Sequence, residues 1–461
     1  MNEIERGEQR AITGQGVGVG LLAMGLLLTL SALVQPCAID GFYLQPWSSE
    51  TMMQTLAIED LRQQPWSTLW HLHIQPPLFD GLRALLVAGA EYQEPGELVR
   101  LVDQRLYWSW AVGYGLLVML LFVWMQALTS RRFALVTALL FALHPAAIFY
   151  ATMLDTTFLS SLLITWMYYL LWRSGQGGGV LILALLGLAL LLLFFTRSLF
   201  QWPWLLVLAV TLWAIALPWR RWLLLLLVVG GGMGLYVGKQ YDQFDTLSTS
   251  TFAGHNLVNS VGISDSEGYW RYLLSQPAVD EGPAALIRAF KATGTPNFNH
   301  LHYLDLNQQL LADYQAHLAA VPLTELVAGY WYNLELWLRP SSAYTEHHLV
   351  DRLPWRGLYD TLFSGGWLLL LLLLASLHWL LRRAAGQWRH SLGLLLPGLF
   401  IFATTVLFER GENMRLKFFI EPLLLLFIAV QLYHASHWLK AEGGRLRRRY
   451  QGPGQPPKKL R

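Results

Sequence analysis

Asp40-Gly41-Phe42-Tyr43, then Ser48-Ser49-Glu50, then, after an amphipathic run, His71-Leu72-His73-Ile74-Gln75-Pro76-Pro77-Leu78: this stretch stands directly behind an apolar run over 16–35. That run is long enough to cross a bilayer as a helix. No small-residue cleavage site follows it, so it reads as a signal anchor. The stretch behind it gathers acids, histidines and a Pro-Pro turn beside a membrane. Ser48 or Ser49 is expected to cap a helix whose apolar positions Met53, Leu56, Ala57 and Leu61 share one face. That helix is too polar to cross and is expected in the membrane interface. A second interfacial or re-entrant element is expected over 78–90.

The composition is that of an integral membrane protein. Of 461 residues, 54% are hydrophobic, and the mean hydropathy is +0.37. The single cysteine, Cys37, excludes an internal disulfide and a cysteine-based zinc site. A formal charge of +3 gives no support for nucleic-acid binding. Further apolar runs cover 106–128, 133–150, 156–172, 180–195, 200–217, 222–238, 358–381, 392–408 and 418–437, which with the first makes about ten spans.

Basic residues orient them. With the N-terminus in the cytoplasm, the inner links hold Arg131-Arg132, Arg173, Arg220-Arg221, Arg382-Arg383 with Arg389, and the tail from Arg445 to Arg449. Both termini are then cytoplasmic, as in a multi-pass inner (cell) membrane protein. The outer side receives the first loop (36–104), the link at Asp155, the link at Arg197, the long loop 239–357 and the link 409–417. The chain divides into a membrane module (1–238), the long outer loop, a second set of spans (358–440) and a basic tail (441–461). Within the loop, helices are expected over 282–293, 301–318 and 324–338, with irregular structure over 248–260.

The spans are almost free of charge at mid-depth, whereas a coupled transporter normally carries charged or broken-helix sites there. Polar residues converge on the outer ends instead. That favours a reaction at the outer interface, where a transferred group has to arrive on a lipid. Such chemistry needs a carboxylate to deprotonate an acceptor and cations to hold a phosphate. Asp40 is the leading candidate for the base. Glu50, its rival, also fits the first turn of a helix. Asp155 heads a span, where Asp is a preferred cap, or it orients the acceptor or a metal. His73 and Gln75 flank the rigid Pro-Pro turn and are candidates for phosphate or sugar contact. Arg197, Arg410 and Arg415 are candidate phosphate ligands; headgroup anchoring is the alternative for them.

At these residues the chain resembles the GT-C superfamily of membrane glycosyltransferases, in its protein mannosyltransferase-like and lipid A aminoarabinose transferase-like branch. The similarity rests on an acid after the first span (Asp40 or Glu50), on Gln75-Pro76-Pro77-Leu78, on the path from Pro145 to Asp155, and on Asn413-Met414-Arg415. It covers about the first 200 residues and the last 60. It departs from the family at Gln75, where the aminoarabinose branch often has lysine. The resemblance implies an all-α, GT-C-like bundle of about ten transmembrane helices with interfacial helices in the first outer loop. It implies a polyprenyl-phosphate sugar as donor, an extracytoplasmic glycan, lipid or protein as acceptor, and an inverting displacement. A divalent metal, magnesium or manganese, serves some members and not others. The competing readings are an O-antigen-ligase-like enzyme with a diphosphate-linked donor and a lipid or glycan transporter.

Overall fold

The computed structural model describes residues 3–34, 48–91, 94–275, 290–345, 350–382 and 388–450. Among these residues there are helices and no strand; Phe290 and Pro296 form one isolated bridge. The first apolar run lies in α1 (Glu3–Val34). After it come three short helices, α2 (Ile58–Gln63), α3 (Pro65–Trp70) and α4 (Leu78–Val87), and then the long α5 (Pro95–Leu128).

Helix α1 packs along α5 because glycine lets the two backbones touch. A Cβ on Gly20 would stand 2.7 Å from the Gly115 carbonyl oxygen, and one on Gly115 would stand 2.8 Å from the Gly20 oxygen. Close approach through small residues is the usual basis of helix association where no hydrophobic drive exists.

The helix expected to begin at Ser48 or Ser49 is not formed. Residues 48–57 run as turns, and the helix starts at Ile58. Ser49 is drawn away from a capping role, since its N–H and hydroxyl both donate to Asp103 Oδ1, at 3.1 and 2.6 Å. Glu50 takes that role from outside, accepting the Ile58 N–H on both carboxylate oxygens at 3.2 Å.

The next apolar run is broken into α6 (Arg131–Ala142) and α7 (Pro145–Thr152), bent by 55°. Pro145 stands at the first helical position of α7, where its missing N–H costs nothing. His144 Nδ1 accepts the Ala146 N–H at 3.1 Å. There follow α8 (Thr156–Gly175), α9 (Val180–Phe194), α10 (Trp202–Ala214) and α11 (Trp219–Phe244).

The long loop holds α12 (Ala253–Ser260), α13 (Ser266–Ser275), α14 (His302–Ala320) and α15 (Leu323–Leu338). The last two match the expected helices. The expectation of irregular structure over 248–260 is corrected by α12. The helix expected over 282–293 lies mostly outside the described residues, and at 290–293 the chain is a bridge and a turn. The chain ends with α16 (Arg356–Leu362), α17 (Gly365–Arg382), α18 (Trp388–Leu407), the short α19 (Asn413–Lys417) and α20 (Glu421–Tyr450).

All ten expected apolar runs fall on helices or bent helix pairs. By length and composition four are fit to cross a membrane: Gly14–Ala32 within α1, α5, α11, and Glu421–Glu442 within α20. The pairs α6–α7 and α16–α17 bring the number to six if each is one span. Helices α9 and α10 and the segment Leu392–Leu407 are apolar but shorter. The chain is therefore an all-helical protein with the marks of membrane embedding.

Candidate active-site cleft

Four helix junctions meet at one end of the bundle. They are the Pro-Pro turn before α4, the α9–α10 loop, the stretch leading into α12, and the α18–α19 turn. The Pro-Pro turn is fastened first. Pro76 and Pro77 carry no N–H, and the next amide, Leu78, donates to the Phe195 carbonyl at 2.8 Å. That bond sets Gln75 and Pro76 against Thr196-Arg197-Ser198. The stretch before α12 adds Ser250, whose hydroxyl donates to the Ile74 carbonyl at 2.5 Å.

The α18–α19 turn is built by Asn413. Its Nδ2 donates to the carbonyls of Thr405 and Glu409, at 2.9 and 2.8 Å, and its Oδ1 accepts the Gly411 N–H at 3.1 Å. Gly411 has φ +94°, a conformation that L side chains rarely adopt. The turn thereby presents Glu409 and Glu412 toward Arg197.

Between these junctions lies a small cleft, partly open to solvent. Gln54, Gln75, Asn256, Ser198, Ser250, Phe252, Arg197, Glu409 and Glu412 contribute to its wall. Arg197 is the feature that decides its chemistry. Its Nε and Nη2 are buried and have no hydrogen-bond partner among the described residues, while its guanidinium carbon lies 5.5 Å from the centre of the Phe419 ring. Burial and the Arg415 charge both disfavour the cation, yet an arginine does not give up its proton. The charges of Asp155, Glu412 and Glu409 support the cation, and a buried fork with two unbonded N–H groups is suited to a planar bidentate anion such as a phosphate or carboxylate.

The two cleft carboxylates differ. Glu412 accepts from Tyr344 Oη and Arg415 Nη1, each at 2.8 Å. Burial alone would raise it, but Arg415 and Arg197 outweigh that and hold it below the ordinary carboxylate range. Burial, with the Glu412 charge beside it, pushes Glu409 up to about 8. The charges of Arg415 and Arg197, and then the Arg410 backbone N–H, temper that shift.

Of the residues expected from sequence, Gln75 and Arg197 line this cleft. Gln75 Nε2 also donates to Asp80 Oδ2 at 2.9 Å. Asp155 caps α8 through the Thr157 N–H and hydroxyl, both at 2.8 Å, and pairs with Arg415 at 2.9 Å. Arg415 is thus committed to Asp155 and Glu412 and does not line the cleft. Arg410 turns away, lying 4.7 Å from the Tyr332 ring centre.

Glu50 belongs to a separate buried network. Arg83 reaches Glu50 at 2.5 Å and Asp80 at 2.7 Å, and Lys291 donates to the Glu50 and Met52 carbonyls and the Thr55 hydroxyl. Burial raises Glu50 despite the opposing charges of Arg83 and Lys291. It does not line the cleft. Asp40 lies outside the described residues.

The phosphate contact expected of His73 finds no place. Its Nδ1 meets the Thr251 hydroxyl at 2.8 Å and its Nε2 the Asn299 carbonyl at 2.9 Å, so both ring nitrogens are taken. The carbonyl accepts only, so Nε2 carries the proton and Nδ1 accepts from Thr251. Burial pushes the imidazole down to about 3, and it is neutral. Sequence reading missed Glu409 and Glu412, although an available signal was a pair of acids in a short link between apolar runs.

A divalent metal does not fit the described wall. No three His, Cys, Asp or Glu side chains gather at a metal-binding spacing among the described residues. Glu412 is already committed to Arg415, and Arg197 puts a positive charge in the same cleft. No family model, curated protein or solved structure matches this chain.

Proposed function

We propose that the chain is a membrane glycosyltransferase of the GT-C type, with about ten spans, both termini in the cytoplasm and the cleft on the outer face of a cell membrane. Its donor is a sugar carried on a polyprenyl phosphate, and its acceptor lies outside the cytoplasm. The observation that carries this reading is the Arg197 fork, buried and without a hydrogen-bond partner among the described residues, in a cleft whose wall also carries amides, hydroxyls and carboxylates.

Each part of that wall has a task in such a reaction. Arg197 holds the phosphate and stabilises the charge that grows on it as the glycosidic bond breaks. A positioned charge is worth most where water is excluded. Gln54, Gln75 and Asn256, with Ser198 and Ser250, offer donors and acceptors suited to a ring bearing several hydroxyls. Phe252, at the same wall, offers an apolar face. Asp40, the base expected from the sequence, lies outside the described residues.

Purified protein given radiolabelled polyprenyl-phosphate sugars and a membrane acceptor fraction should transfer label from at least one of them. Arg197→Ala should lower that transfer on the order of 10²–10³-fold, as loss of a single oxyanion donor does. A folded Arg197→Ala protein with unchanged transfer would remove the observation on which the reading stands.

A further inference from the structure

In the cleft, Glu409 and Arg197 line the same wall and sense each other's charge, and the other carboxylate, Glu412, is tied to Arg415 and Tyr344. The Asn413 clamp on Thr405 and Glu409 fixes the backbone from which Glu409 projects. It rests on an asparagine and on Gly411 at positive φ, a conformation that glycine adopts readily. We propose that Glu409 takes the proton of the acceptor hydroxyl during transfer. This rests on the glycosyl-transfer reading and adds to it a residue that the resemblance does not supply.

The acceptor oxygen forms a bond to the anomeric carbon, and its proton passes to a Glu409 carboxylate oxygen. The bond from the anomeric carbon to the phosphate oxygen breaks, and its electron pair stays on the lipid phosphate, held by Arg197. The inverted sugar remains on the acceptor.

The charges that act on Glu409 are Glu412 and Arg415 on its own link and Arg197 from the α9–α10 loop, with Arg410 contributing its backbone N–H. Asp155 pairs with Arg415, and burial lowers His255 of α12 against the pull of the Glu412 charge. A base at about 8 sits close to neutrality, where the Brønsted compromise between basicity and correct ionisation is best. The deprotonated, competent form then gains population as pH rises through that value.

The test uses the full chain in lipid nanodiscs, with a short-chain prenyl monophosphate as binding probe and a polyprenyl-phosphate sugar as donor. Binding of the probe should depend on Arg197 and persist in Glu409→Gln. Transfer should rise with pH along a limb near 8 in the parent. Glu409→Gln should transfer about 100-fold or more slowly and lose that limb, while Glu409→Asp recovers part of the rate. Parent-like transfer by Glu409→Gln, or a limb that survives it and disappears in Asp40→Asn, would overturn the assignment. Failure of the parent both to bind the probe and to transfer from any donor would instead bring down the glycosyl-transfer reading, and the role of Glu409 with it.

Discussion

Arg415 Nη2 lies 2.9 Å from Asp155 Oδ2, with the aspartate side chain 2% exposed, so the α18–α19 turn is pinned to the head of α8 by an ion pair almost out of water. The same guanidinium donates from Nε to the Thr157 hydroxyl at 2.8 Å and from Nη1 to Glu412. A residue expected to touch phosphate therefore holds the wall of the cleft in place. Removing one partner of such a pair leaves an uncompensated buried charge and typically costs on the order of 3–5 kcal/mol.

Arg415→Gln should accordingly lower the thermal midpoint of the detergent-solubilised protein sharply. Adding Asp155→Asn should recover a part of the loss, because the stranded carboxylate is then neutral. Strict additivity of the two substitutions would show that the pair is not coupled.

The first and fifth helices offer a packing test. A Cβ at Gly115 would meet the Gly20 carbonyl at 2.8 Å, which is backbone and cannot swing aside. Gly115→Leu should force the helices apart and cost about 1–3 kcal/mol or more. Gly25, where a Cβ would meet nothing within 4 Å, is the matched control, and Gly25→Ala should leave the midpoint nearly unchanged.

Much of this fold is legible in the sequence, since hydropathy is a local property and each apolar run has become a helix or a bent pair. Asp155 as a helix cap was legible for the same reason, as was Arg197, standing alone between two apolar runs. What was not legible depends on contacts across the chain. His73 and Asn299 are 226 residues apart, and only the folded loop shows that both imidazole nitrogens are spent. Ser49 looks like a cap until Asp103, 54 residues away, claims its N–H and hydroxyl. Glu409 reads as one acid in a short link. Its interest comes from the Asn413 clamp and from the Arg197 loop being brought alongside.

Orientation can be checked in intact cells after Cys37 is replaced. Cysteines placed at Glu8, Ala312 and Gln451 are probed with a membrane-impermeant thiol reagent. Ala312, exposed on α14, should label, and the other two should label only after permeabilisation. Labelling of Glu8→Cys in sealed cells would reverse the proposed orientation.

His73 gives a pH dependence of stability whose sign is fixed by its burial. The folded-state value is about 3, against an ordinary value of 6.5. Between these limits the unfolded chain binds the proton and the folded chain does not, so stability rises with pH and is lost as pH falls from about 6.5 toward 3. The slope from this one group reaches at most about 1.4 kcal/mol per pH unit. Thermal midpoints of the purified protein, measured from pH 7.5 down to pH 4.5, should therefore fall below pH 6.5. His73→Asn should be less stable at pH 7.5, because the links to Thr251 and Asn299 that join the first loop to the long loop are weakened. Its midpoint should nevertheless fall less steeply on acidification, because the group that must be kept unprotonated is gone. An unchanged acid slope in His73→Asn would mean that the imidazole is not held neutral by burial and that the two loops part before it titrates.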